Sequence, residues 1–244
     1  MLLSPGSGEV RGQCTAWAED LAGRGYVVAG LDHAYDSPVV VLTEGRTVRG
    51  ATDPSVLDQL VRTRAADLGF ALTRLGRLDR GEITGPLTGH LDASRAAVAG
   101  HSLGGAAALA LIGEDLRFAA AVDLDGNPTD PSTRPHPQPV LAITSPRYDN
   151  PTGDHAVRLD RALDRSTTAG YRLTIPGSGH LSPTDLPLFL PPVLPSMFGS
   201  LDRDSGPRIT ADATAAFLDH TLRPVPTDPA AVLRRYGDVA VHPG

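Results

Sequence analysis

Short apolar runs alternate along this chain with segments whose apolar residues recur every three to four positions. Met1–Ser4, Tyr26–Asp32, Ala96–Gly100, Ala119–Leu124, Val140–Thr144 and Tyr171–Ile175 read as strands. Their apolar residues are continuous rather than alternating, as in strands covered on both faces. Between them, Arg11–Ala22, Pro54–Leu78, Gly104–Ile112, Asp154–Arg165 and Thr210–Leu222 predict helices. The long second helix opens with Asp53 as N-cap and Pro54 at its first position, and repeats Leu57, Leu60, Arg64, Leu68, Ala71, Leu75 and Leu78 at helical spacing. Gly104–Ile112 is apolar all round and predicts a buried helix. Asp154–Arg165 alternates acids and arginines, the pattern of a solvated face. Thr210 is the expected N-cap of the last helix. Strands alternating with helices predict an α/β architecture, a mainly parallel sheet with helices on both faces.

Two proline-rich stretches fit no element. Pro128–Pro139 holds five prolines and joins two strands, and Pro183–Phe198 is apolar but broken by five, so it cannot be one helix. Both read as loops that shape a site. The 244 residues suit one domain over 1–223, with a C-terminal tail over 224–244 in which Gly237–Gly244 is expected to fray.

Composition adds exclusions. All 22 basic residues are arginine, the net charge is −6 and no basic block occurs, which argues against a nucleic-acid partner. The one cysteine, Cys14, forms no internal disulfide and no thiolate metal cluster. No apolar run approaches the ~18 residues of a membrane span. The first residues lack the charged and long apolar regions of a signal peptide, so the chain as written is expected to be soluble and cytoplasmic. A longer native chain would leave secretion open.

The most specific feature is Gly100-His101-Ser102-Leu103-Gly104, between a predicted strand and a predicted helix. A serine hydroxyl attacks well only when held exposed beside a base, and a sharp strand-to-helix turn does this. That turn crowds the positions two before and two after the serine, which is why Gly100 and Gly104 flank Ser102 in this elbow. The base must come from a loop at the same sheet edge, late in the chain. His180, in Gly177-Ser178-Gly179-His180 after the last strand, meets that need. His33, His90, His136, His155, His220 and His242 read as surface or core histidines, with His33 alone near enough to line a pocket. The acid that orients the imidazole is Asp125 or Asp149, each following a strand after the nucleophile, and the residues alone leave both open. Asp123 lies within a strand and reads as structural. The oxyanion donors fall on the backbone N–H of Leu103 and of Ser7, in Ser4-Pro5-Gly6-Ser7-Gly8. A phosphate cradle at that loop would need a lysine the chain lacks, and pairs such as Asp32/His33 lack a third metal ligand. No cofactor or metal is expected.

These residues resemble the platelet-activating factor acetylhydrolases of the plasma type. The resemblance rests on Gly100–Gly105, Leu116-Arg117-Phe118, Leu124-Asp125, Pro139–Pro151 and Gly177–His180, with Arg24–Ala29, Asp32-His33, Leu91-Asp92 and Ala215–Leu218, and so runs through almost all of residues 1–223. It implies an α/β-hydrolase fold and a calcium-independent serine esterase that removes short or oxidised acyl groups from phospholipids. It also implies Asp125 as the acid, because the position of Asp149 is not acidic in that family. A transient contact with a lipid surface follows from such substrates. Pro5 stands where the family carries histidine, and Gly126-Asn127-Pro128 replace aromatic residues, so the pocket departs more than the triad does. The family's fold also places two strands before the oxyanion loop, and here the first two strands are expected to be absent. A cutinase-like polyester hydrolase or short-chain lipase is the alternative enzyme, and an inactive or non-catalytic protein of the same fold the alternative of another class.

Overall fold

The computed structural model describes residues 1–50, 53–129, 134–146, 153–191, 195–223 and 225–244. The strands, in chain order, are β1 (Leu2–Ser4), β2 (Ala29–Gly30), β3 (Val39–Val41), β4 (Thr47–Arg49), β5 (Ala96–His101), β6 (Phe118–Leu124), β7 (Val140–Thr144), β8 (Ala169–Thr174) and β9 (Asp238–Pro243). The helices are α1 (Thr15–Gly23), α2 (Leu57–Asp79), α3 (Leu103–Ile112), α4 (Asp154–Leu163), α5 (Leu186–Phe189), α6 (Pro195–Phe198), α7 (Ser205–Leu222) and α8 (Pro229–Leu233). Among the described residues, seven strands form one sheet in the order β2-β1-β5-β6-β7-β8-β9, parallel except for β9.

The sheet buries both faces. Trp17 and Leu21 of α1 and Phe217 and Leu218 of α7 pack with Ala97, Ala99, Val122 and Leu141 on one side. Leu68 and Leu72 of α2, the alanines of α3 and Leu159 of α4 pack with Leu2, Val98, Ala121 and Val140 on the other. Neighbouring positions along each strand thus serve opposite cores, which is why the runs read as continuously apolar. This is the α/β-hydrolase arrangement that the family resemblance implies.

Three expectations change, and one hairpin was not read from the sequence. The run Tyr26–Asp32 contracts to Ala29–Gly30, an edge strand paired only with the three-residue β1. The last helix begins at Ser205, so Thr210 is no cap but a buried residue within it. Pro207 is tolerated because the first-turn N–H it lacks would have no helical acceptor. The hairpin β3–β4 was hidden by its length, three residues a side turning at Gly45 (φ +76°). The C-terminal tail is not frayed: β9 pairs antiparallel with β8 from Asp238↔Thr174 to Pro243↔Ala169, and Ala230 and Leu233 of α8 join the core.

That last correction is testable. Deleting residues 238–244 strips the β8 edge of its six paired positions. The expected loss is ~2–4 kcal/mol, which in a chain of this size lowers Tm by roughly 5–15 °C. An unchanged melting curve would make the tail an ornament.

Candidate active site

Ser102 sits between the end of β5 and the start of α3 with φ 52° and ψ −116°, a strained conformation for a residue with a side chain. The turn holds because nothing but hydrogen fits beside it. A Cβ on Gly100 would lie 2.2 Å from the Gly104 carbonyl carbon, and one on Gly104 would lie 2.1 Å from the Ser4 carbonyl oxygen. Ser102 N–H donates to the Leu124 carbonyl (2.8 Å), and the Ser102 carbonyl accepts the first helical bond from Ala106 (3.0 Å). The hydroxyl is therefore lifted out at the carboxyl ends of the parallel strands.

His180 and Asp125 meet it there. His180 Nε2 lies 3.0 Å from Ser102 Oγ, and His180 Nδ1 lies 2.6 Å from Asp125 Oδ2. The His180 loop is pinned from below: Gly179 N–H donates to Ser182 Oγ (2.8 Å), Ser182 Oγ donates to the Phe198 carbonyl (2.9 Å), and Ser178 bridges to Gly199. Asp125 follows β6 at φ 52°, and its Oδ1 accepts from Ser145 N–H (2.7 Å) and Ser145 Oγ (2.9 Å). Burial opposes its charge, but the His180 N–H and the Ser145 donors outweigh burial and hold its carboxyl below the ordinary range. A hydroxyl, an imidazole and a buried carboxylate linked in this order can move a proton off the hydroxyl as it attacks a carbonyl.

The loop after β1 closes the other side. The Arg64 guanidinium, fully buried on α2, donates to the Gly6 carbonyl (3.1 Å) and the Pro5 carbonyl, with its Nε on Asp36 (2.6 Å). The Gly6–Ser7 peptide is planar and trans, so a Gly6 carbonyl held by Arg64 turns the Ser7 N–H to the opposite side. Leu103 N–H is the first of α3 and has no helical acceptor. Leu103 N–H thus stands next to Ser102 in the chain, and Ser7 sits in a loop whose Ser4 and Pro5 carbonyls lie against Gly104 of α3.

Other residues resolve differently. His33 is buried, with Nε2 on Ser4 Oγ (2.9 Å) and Nδ1 on Asp67 (2.7 Å). His155 Nε2 bonds the Gly126 carbonyl (2.8 Å), and His242 faces Asp164 on the surface (2.7 Å). Asp149 lies outside the described residues, as do Val193 and Leu194 of the Pro183–Phe198 stretch. In that stretch Phe198 is buried, whereas Phe189 is 77% exposed with Leu188 and Leu190 beside it. Among the described residues, no group of three or more His, Cys, Asp or Glu could hold a metal ion. Sequence reasoning missed Ser145, Glu9 and Arg64. Only Arg64 left a signal, as a charge inside the apolar repeat of α2.

Asp123 is as buried as expected of a structural residue. Its Oδ1 accepts Gly126 N–H (3.0 Å), holding the turn that presents Asp125, while Oδ2 has no hydrogen-bond partner among the described residues. Burial, reinforced by the charge of Asp125, pushes its carboxyl up to about 8.

Three comparisons bear on this site. A family model described as "Platelet-activating factor acetylhydrolase, isoform II" matches residues 46–225. A "Probable 1-alkyl-2-acetylglycerophosphocholine esterase" of Arthroderma benhamiae is 28% identical over 205 residues, 78% of this chain and 49% of that protein. The "Platelet-activating factor acetylhydrolase" of Bos taurus is 26% identical over 256 residues, covering 91% and 56% respectively. The chain spans about half the length of these curated relatives. The solved structure of a ferulic acid esterase from Streptomyces cinnamoneus superposes with a TM-score of 0.81 at 34% identity, covering 98% of this chain and 72% of that one.

The state of Asp123 makes a prediction. Between the ordinary 3.8 and about 8, the folded protein keeps a proton that the unfolded chain has lost. Stability therefore falls as pH rises across that window, by at most ~1.4 kcal/mol per pH unit from this group. Asp123→Asn keeps an oxygen for Gly126 N–H and removes the slope. Its Tm gain over the wild type should widen from pH 5 to pH 8 in thermal melts. Parallel curves would mean that the folded protein carries Asp123 ionised.

Proposed function

The chain belongs to the platelet-activating factor acetylhydrolase, isoform II, family, and from that membership we propose that it is a serine carboxylic-ester hydrolase working through an acyl-enzyme. The observation that carries the reading is the unbroken relay from Ser102 Oγ through His180 to Asp125, at 3.0 and 2.6 Å.

Ser102 Oγ attacks the acyl carbon as His180 Nε2 takes its proton. The carbonyl oxygen becomes an oxyanion facing the N–H groups of Leu103 and Ser7, a stabilisation worth ~3–4 kcal/mol per donor in comparable sites. Asp125 holds His180 Nδ1–H and stabilises the imidazolium. His180 then returns the proton to the departing alcohol, leaving an ester on Ser102. Water enters, gives its proton to His180, and the same steps release the acid.

The substrate class is the finer proposal: short-chain or oxidised acyl esters of phospholipids. The names of the fungal and bovine relatives support it, as does the exposed Leu188–Phe189–Leu190 surface a few residues beyond His180. A second reading, an aromatic-acid ester of the ferulate type, is favoured by the higher identity and nearly full coverage of the Streptomyces esterase.

Ser102→Ala should abolish labelling by a serine-directed phosphonate and reduce p-nitrophenyl acetate hydrolysis by ~10³-fold or more. More than a tenth of wild-type activity would remove Ser102 from the mechanism. Asp125→Asn should cost ~10²–10⁴ in kcat with the fold intact, against less than tenfold for Asp149→Asn. A reversal of those two results would move the acid to Asp149.

Replacing Leu188 and Phe189 together by serine separates the substrate readings. For a lipid-facing surface, Tm and p-nitrophenyl acetate turnover persist while hydrolysis of an acetylated glycerophospholipid in vesicles drops at least tenfold. Phospholipid hydrolysis unchanged, with methyl ferulate the better substrate, favours the second reading.

A further inference from the structure

His101, inside the elbow, is fully buried and has both ring nitrogens on acceptors. Nδ1 lies 3.0 Å from Glu9 Oε2, and Nε2 lies 2.8 Å from the backbone carbonyl of His180. A carbonyl and a carboxylate only accept, so satisfying both requires the doubly protonated ring. The same Glu9 Oε2 accepts Gly6 N–H at 2.6 Å. One carboxylate oxygen and one imidazolium therefore tie the loop that carries Ser7 to the backbone of the residue assigned as base. We propose that Glu9 and His101 are a positioning pair for the reaction, a buried charged strut that sets the distance between the oxyanion loop and His180. The role rests on the reading of Ser102, His180 and Asp125 as the triad and adds what holds its base in place.

The surroundings favour the charged form. The groups facing His101 are Glu9 from the loop after β1, the His180 ring (centroids 4.7 Å apart), Asp125 beyond β6 and Asp123 within it. Cys14, beyond Glu9, is buried with its thiol pushed far up, so it adds no negative charge. Burial works against the imidazolium, but the charge and hydrogen bond of Glu9, the His180 carbonyl and the charge of Asp125 outweigh it and hold His101 above its ordinary 6.5. Burial pushes the Glu9 carboxyl up, but the charge and hydrogen bond of His101, with the Gly6 N–H, outweigh it and hold Glu9 below its ordinary 4.5. The strut is whole between those limits. As pH rises through the His101 pKa the ring loses one N–H, one acceptor is left facing a lone pair, and the tie to His180 or to Glu9 breaks. An alkaline fall in kcat is the consequence.

The test uses the full chain with 15N-labelled histidine. At pH 7 the His101 ring nitrogens should both show the shifts of N–H, in the wild type and in Ser102→Ala alike. Assignment follows from the signals lost in His101→Gln. Glu9→Gln keeps an oxygen for Gly6 and removes the charge. It should lower kcat on p-nitrophenyl acetate 10–100-fold with KM changed less than threefold, and shift the alkaline limb down by at least one pH unit. A singly protonated His101 at pH 7 overturns the proposal. So does a folded Glu9→Gln protein with wild-type kcat and pH profile, since the pair would then only stabilise the fold. Should Glu9→Gln not fold, the wild type decides: the alkaline limb of kcat must coincide with the titration of the His101 ring, and a mismatch of more than one unit overturns the role. Activity surviving in Ser102→Ala beside an intact His101 signature would instead sink the triad reading.

Discussion

Everything at the site depends on how closely the first turn of α3 approaches the strands beneath it. Gly100, Gly104 and Gly105 stand where a Cβ would come within 1.9–2.2 Å of the helix, of the Ser4 carbonyl or of the Asp123 carboxyl. At Gly100 and Gly104 the atoms met are backbone and cannot give way, so those two positions must be glycine; at Gly105 a side chain would have to displace the buried Asp123 carboxyl. Ala106, Ala107 and Ala108 continue the close contact and are buried. The approach brings Ser102 into its strained conformation, sets Leu103 N–H beside it, and brings the β1 loop against the helix. Strain of ~1–3 kcal/mol at a non-glycine residue with positive φ persists only when the surroundings over-determine it. Asp125 carries a second such residue, on the adjacent strand, and bonds from its N–H to the Ile143 carbonyl (2.8 Å) and from Ser145 to its carboxylate hold it.

Behind these residues lies an interior unusually rich in charge. Arg64 with Asp36, and His101 with Glu9, are ion pairs whose members are nearly all excluded from water. Such pairs rarely stabilise a fold more than well-packed apolar groups would, because desolvation offsets their attraction. Their value here is directional. Arg64 spends its donors on two successive carbonyls, Pro5 and Gly6, which orients the peptides of that loop as no apolar residue could. Glu9 takes the N–H of Gly6 from the other side. The loop is thus held at the Pro5 and Gly6 carbonyls and at the Gly6 N–H by buried charged side chains.

What the sequence discloses follows from how local each signal is. Most of the strand runs, the elbow and the loop that carries His180 depend on neighbours within a few residues and appear where the pattern puts them, whereas Tyr26–Asp32 contracts to Ala29–Gly30. The acid could not be chosen from the residues alone, because Asp125 and Asp149 both end strands, and the family resemblance made the choice. Ser145, Glu9 and Arg64 act across 20, 92 and 58–60 residues of chain, and their side chains look like those of any polar position. Arg64 was visible only as an anomaly in an apolar repeat; the buried face of α2 runs through Val61, Arg64, Leu68 and Leu72, one step round from the Leu57–Leu60 line. β9 escaped because its burial is partial on an edge strand, so its pattern resembles that of a mobile tail.

The same distinction separates reaction type from substrate. Ser102, His180 and Asp125 are each held by at least two hydrogen bonds to buried partners, so the arrangement on which the proposed chemistry rests has little freedom. The surface a substrate would meet is made differently. Leu188, Phe189 and Leu190 project from a proline-punctuated stretch with no regular element longer than four residues among those described, and Tyr35 stands exposed at positive φ beyond β2. Such positions answer to few packing constraints and tolerate exchange. Proteins named for an acetylglycerophosphocholine ester and for ferulic acid are both similar to this chain, so the likeness alone does not choose between their substrates. The exposed stretch could take a different side chain at little cost in packing, whereas the glycines beneath Ser102 and the ion pairs behind it are bound by close contacts and buried hydrogen bonds.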